Sequence, residues 1–197
     1  MTARLGLKFS EVMSGGFTSG VSDPKAAEQQ GNQQGSELVM RCSVTIDDLD
    51  LFVHDPQHAG KLSGTIDFAP LGTSIPSDQG VFNLFRPGEA RGVKWMVYEL
   101  GFIAKTRPYY LAGKKVVLHD HGAEVLQETT TLYTVLHEGT NSSGPVAGAG
   151  VLHLGAKSLA DLAKTIEITN AQNSFETMQG LAMYLKLFLG ELWQTYV

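Results

Sequence analysis

The chain has 197 residues, of which 43% are hydrophobic and 18% charged, and its net charge is −5. That length suits one globular domain with a sizeable core, or one domain with a helical appendage. The acidic balance excludes a nucleic-acid groove, which needs clustered Lys and Arg. No run approaches the ~18 apolar residues of a membrane span. The single cysteine, Cys42, excludes an internal disulfide framework. With no apolar signal segment after Met1, the expected location is the cytoplasm.

Residues 5–17 read as a first strand with a glycine break at Gly15 and Gly16. Residues 18–36 carry Gln29, Gln30, Gln33 and Gln34 and almost nothing apolar, which predicts an exposed loop. Leu38, Met40, Cys42, Val44 and Ile46 then alternate with mostly polar partners, the period of a strand. Cys42 lies in this apolar run and reads as a buried, inert thiol. Residues 47–54 predict a short helical turn, capped by Asp47 or Asp48 and ended by Pro56.

Five strands follow, over residues 62–68, 80–85, 94–102, 110–118 and 129–136, each bounded by glycine or a turn cluster. In the third, Trp95, Val97 and Glu99 share one face, and Met96, Tyr98, Leu100 and Phe102 the other. A strand apolar on both sides suits a sheet centre or a filled interior. Residues 141–145 form a turn, and residues 146–154 a last strand of small side chains. Ser158 to Asp161 predicts the start of a helix with Leu159, Leu162, Ala163 and Ile166 on one face. Asn173 and Glu176 form a capping box for a helix whose apolar stripe is Leu181, Leu185, Phe188, Leu192 and Tyr196.

The expected fold is mainly β: about eight antiparallel strands in a lipocalin- or calycin-like barrel, or a sandwich, with two C-terminal helices. Residues 1–170 form the barrel domain with its polar loop at 18–36. Residues 171–197 form an amphipathic helix that packs on it or makes a homodimer contact.

Candidate chemistry is sparse. His119 and His121 would share a strand face and could hold zinc with a third ligand, although His-Asp-His-Gly also reads as a polar hairpin turn. His54 and His58 are separated by Pro56, which breaks a shared helix face. Asp47, Asp48, Asp50 and Asp55 lack the glycine and terminal glutamate of a calcium loop, and helix capping explains them. Glu99 and Asp67, if buried together, could exchange a proton, but Glu99 could equally face solvent or pair with Lys114 or Lys115. Phe82, Phe85, Trp95, Tyr98 and Phe102 are candidates to line an apolar ligand site, or are simply core.

One resemblance runs along most of the chain. The segment Glu11-Val-Met-Ser-Gly-Gly-Phe17, the acidic segment ending at Phe52, Gly80-Val-Phe-Asn-Leu-Phe85, Met96-Val-Tyr-Glu-Leu100 and Leu111-Ala-Gly-Lys-Lys115 resemble an accessory domain. So do Thr129-Thr-Thr-Leu132 and Phe188-Leu-Gly-Glu-Leu-Trp193. That domain accompanies bacterial flavin oxidoreductases of the glucose–methanol–choline class, the cholesterol-oxidase-like ones above all. The chain has no G-x-G-x-x-G fingerprint opening a helix after a strand, so the flavin domain is absent and no cofactor is expected. The resemblance implies a relative or partner of a sterol- or lipid-oxidising flavoenzyme and assigns no catalytic residue.

The leading expectation is a non-catalytic barrel that binds a hydrophobic, lipid- or sterol-like molecule, or assists an oxidoreductase acting on one. The alternatives are an isomerase, cyclase or hydrolase using acid–base groups inside the barrel, and an interaction domain that docks a flavoenzyme.

Overall fold

A computed structural model describes residues 4–90, 92–118 and 130–193. Eight antiparallel strands close into a barrel: β1 (Gly6–Ser19), β2 (Glu37–Ile46), β3 (Ala59–Phe68), β4 (Gly72–Pro87), β5 (Val93–Ala104), β6 (Arg107–Leu118), β7 (Thr131–Glu138) and β8 (Val146–His153). A short ninth strand, β9 (Glu167–Thr169), pairs with the start of β1. The helices are α1 (Pro24–Gln34), α2 (Leu49–His54), α3 (Ala156–Thr165) and α4 (Ser174–Trp193). The barrel is thus realised and the sandwich is not. No helix among the described residues is long and apolar enough to cross a membrane.

Strand parity sets the interior. On β2 the even residues Leu38 to Ile46 are buried, and on β5 Met96, Tyr98, Leu100 and Phe102 are. These side chains belong to one continuous core. β1 closes the barrel. It pairs with β2 from Leu7↔Ile46 to Gly16↔Glu37, with β8 from Ser14↔His153 to Ser19↔Gly148, and with β9 at Gly6 to Lys8. Between Lys8 and Ser14, its second edge meets neither strand. There the Thr165 hydroxyl, at the end of α3, accepts from the Ser10 N–H at 2.9 Å and shares its hydrogen between the carbonyls of Leu162 at 2.8 Å and Ser10 at 3.0 Å. A side chain stands in for the missing ladder.

The expected loop at 18–36 is instead a helix. Asp23 caps α1 by accepting from the Ala26 N–H at 2.8 Å, Pro24 opens it, and Gly35 closes it in the left-handed conformation at φ 66°. It packs outside the barrel on β1 and β8 through its smallest residues, Ala27 and Gly31. A Cβ on Gly31 would lie 2.4 Å from the Phe17 backbone nitrogen, and one on Gly16 would lie 2.4 Å from the Glu28 carbonyl oxygen. Gly15 and Gly16 therefore do not break β1, which runs straight through them; Gly16 lets a helix lie against it. The Thr18 hydroxyl donates to the Ala27 carbonyl at 2.8 Å, and His153 contacts Glu28 at 2.6 Å.

At the α1 end aromatic side chains pack closely. Phe17 and Phe68 meet edge to face at 4.9 Å, and Phe17 fits because Gly148 and Gly150 on β8 leave room for its ring. The α2 turn forms as expected, with Asp48 rather than Asp47 accepting from the Leu51 N–H. Asn173 accepts from the Glu176 N–H at 3.0 Å, as a capping box requires.

The face of α4 differs from the expected one. Gly180 and Tyr184 are buried and Met183, Leu187 and Phe188 are half-buried, whereas Leu181 and Leu185 are exposed alongside Phe175, Met178 and Leu189. The helix is apolar on most sides, so periodicity alone does not fix its buried face. Gly180 does: a Cβ there would lie 2.9 Å from Ile168 on β9.

Gly31→Ala should destabilise the protein. Helix propensity alone would favour Ala by about 1 kcal/mol, but the added methyl meets rigid backbone, and overpacking costs about 1–3 kcal/mol. Urea unfolding should show a lower midpoint for Gly31→Ala, while Gln30→Ala on the solvent side stays within about 0.5 kcal/mol of the parent. An unchanged Gly31→Ala midpoint would contradict the close packing of α1.

Candidate functional site

β7 and β8 are shorter than the strands on either side, so among the described residues their ladders stop short of the end away from α1. The β6–β7 ladder stops at Lys114↔Tyr133, and the β8–β1 ladder begins at Ser14↔His153. α3 and α4 lie over this end and, with the barrel, line a half-open cavity of about 290 Å³. Its walls are mainly apolar, from Phe9, Phe82, Leu84 and Met96 of the barrel and Leu162 and Phe188 of the helices. Exposed Ala163, Leu185 and Leu189 mark its mouth.

The floor is polar. Glu11 and Lys115 occupy inward positions of β1 and β6 and are only 4% and 2% exposed. Lys115 Nζ lies 3.8 Å from Glu11 Oε2, donates to the Tyr98 hydroxyl at 3.2 Å and stands 4.7 Å from the Tyr98 ring centre. Glu11 Oε1 is buried with no hydrogen-bond partner. Cys42 is the cross-strand neighbour of Glu11. Burial pushes its thiol well up, and the Glu11 charge adds to that, so it is the inert cysteine its strand position suggested. Burial and Glu11 likewise push the phenols of Tyr98 and Tyr184 up. The cluster can anchor a polar group at the end of an apolar molecule, and it can take or give a proton.

Two of the five candidate lining residues, Phe82 and Tyr98, border the cavity; their rings meet edge to face at 5.1 Å. Phe85 is buried beside it and reaches Phe188 of α4 at 5.6 Å. A β-bulge between Asn83 and Arg86 turns Phe85 inward, at a positive φ of 50°. Phe102 lies elsewhere in the core, stacked on Tyr109 at 5.9 Å. Trp95 is not inside: it sits on the outer face beneath Lys114, whose Nζ is 4.3 Å from its ring centre.

The proposed acid–base pair does not assemble. Glu99 is on the outer face of β5 and accepts from the Tyr110 hydroxyl at 2.7 Å, rather than pairing with Lys114 or Lys115. Asp67 is bound by Arg41 and accepts from the Ser74 N–H at 2.6 Å. Those two partners, the backbone N–H first, hold its carboxyl below the usual range. His119 and His121 lie outside the described residues. Among the described residues, no group of three His, Cys, Asp or Glu side chains is placed to hold a metal. His58 is buried and its Nδ1 donates to the Phe52 carbonyl at 2.6 Å.

Sequence reasoning passed over Glu11 and Lys115. The signal was parity: Glu11 falls in step with Leu7, Phe9 and Met13, and Lys115 with Tyr109, Leu111 and Val117. A charge at an inward position is rarer and more telling than one on the outer face. No family model, curated protein or solved structure matches this chain.

Two measurements test the floor. Removing one partner strands a buried charge, so Glu11→Met should cost about 3–5 kcal/mol, and Glu11→Met with Lys115→Met should recover most of it. Equal losses in the single and double variants would show that the two groups do not act as a pair. Because folding raises the Tyr98 and Tyr184 values above the ordinary 10.0, unfolding releases protons at alkaline pH. Stability is therefore full below the ordinary phenol value and falls as pH rises above it. Phenolate absorbance from these two residues should appear only together with unfolding.

Proposed function

We propose that the protein binds a hydrophobic small molecule in the cavity between the barrel and α3 and α4. One observation carries this: a pocket of about 290 Å³ between the barrel and its helices, apolar except at its floor. Barrels of eight strands either pack their interior with side chains or hold one small ligand, and packed interiors leave few voids larger than a water. Apolar walls with a few convergent polar groups are the usual composition of a ligand site.

Volume bears on the ligand's size. The space of about 290 Å³ accommodates a molecule of at least about ten non-hydrogen atoms. A longer lipid-like molecule would extend through the mouth of the pocket. Tyr98 and Phe82 meet its body, and the exposed lip at Ala163 is where it enters.

Naphthalene tests the cavity, since it is apolar, fluorescent and of about the size the volume allows. It should bind the native protein with one site per chain by fluorescence titration. Ala163→Trp places a large ring at the mouth on an already exposed position, so it should weaken binding at least tenfold with an unchanged melting temperature. Absence of naphthalene binding, or undiminished binding to Ala163→Trp, would overturn the proposal.

A further inference from the structure

We infer that this cavity selects a neutral alcohol or phenol on an otherwise apolar body, its hydroxyl set against the Glu11–Lys115 pair at the floor. The inference rests on the cavity being a ligand site and names the chemistry of the ligand's polar end.

A carboxylate oxygen has only acceptor capacity, and here one is buried with no partner. Leaving such a group unmatched is costly, so a ligand that reaches it gains by bringing a donor. Hydrocarbons, ethers and ketones bring none. The Lys115 ammonium also has donor capacity left. It gives one hydrogen to Tyr98 at 3.2 Å, while Glu11 Oε2 at 3.8 Å is too far for a hydrogen bond. A hydroxyl is the smallest group that donates to Glu11 while accepting from Lys115.

Charge decides between the remaining candidates. Glu11 and Lys115 together carry no net charge, whichever of them holds the proton. An organic acid would add a negative charge beside a buried carboxylate, and an alkylamine a positive charge beside a buried lysine. Either excess would sit in an apolar enclosure, where an unpaired charge is disfavoured far more than in water. A neutral hydroxyl keeps the balance.

The test displaces naphthalene from the native protein with four compounds of similar size: 1-nonanol, methyl octyl ether, octanoate and octylamine. Nonanol should bind at least tenfold more tightly than its isomer, the ether, and more tightly than the acid or the amine. Equal affinities for alcohol and ether would overturn the inference while leaving the cavity intact, because naphthalene would still bind. Tighter binding of the acid or the amine would also overturn it. If naphthalene itself fails to bind, the cavity reading fails first. The double replacement Glu11→Met with Lys115→Met removes the floor without stranding a charge. It should abolish the preference for nonanol over the ether; a preference that survives would place the hydroxyl elsewhere.

Discussion

Everything at the open end of this molecule depends on β1 having more edge than β8 can cover. β1 runs for 14 residues and β8 for 8. Along one side β1 meets β2 from Leu7 to Gly16, but on the other its stretch from Ser14 to Ser19 goes to β8 and its start to β9. The uncovered stretch must satisfy its backbone some other way, because exposed strand edges invite further pairing. Thr165 does this at Ser10, and that fixes the end of α3 against the wall. Glu11 is the next residue along. The gap in the ladder, the helix that closes it and the buried carboxylate are consequences of one mismatch in strand length.

The two ends of the barrel use opposite packing solutions. Near α1, glycines on β1, β8 and the helix let backbones touch, and Phe17 occupies the room that Gly148 and Gly150 leave. At the other end Gly180 brings α4 against a side chain, Ile168 of β9. α4 is held by side chains: Tyr184 stacked on Phe188 at 6.2 Å, Phe85 against Phe188, and the ion pair of Lys94 with Glu191. Phe85 keeps a left-handed backbone that a bulky residue rarely adopts, at a cost on the order of 1–3 kcal/mol. The bulge that imposes this conformation also directs the ring at α4. Strain in β4 is thereby exchanged for a contact that holds the cover over the cavity.

Much of this was legible in the chain. The strands from β2 to β8 follow their alternation, because each has one face in the core and a one-residue slip would invert it. The same parity already separated Glu99 from Tyr98. α1 escaped because its burial rests on Ala27 and Gly31, which carry no hydrophobic signal; its Asp23-Pro24 start and Gly35 stop were the readable cues. The α4 stripe came out about one residue away from the buried face, since apolar residues lie nearly all round that helix and Gly180 governs the approach. Trp95 was placed by hydrophobicity, but parity puts it outside, where its ring lies under Lys114. Glu11 and Lys115 required knowing that two strands distant in sequence reach the same opening.

The buried pair is hard to explain as a device for stability. Desolvating two charges offsets most of their attraction, and replacing such pairs by apolar side chains is often neutral or stabilising. Glu11 and Lys115 are held 3.8 Å apart, beyond hydrogen-bond range, so even the favourable part is incomplete. Had the interior been shaped for packing alone, inward positions of β1 and β6 would carry residues like Phe9 and Val117. The polar groups lie at the floor of the cavity, with donor and acceptor capacity left over. Their incomplete pairing is what a third group, brought by a ligand, would complete.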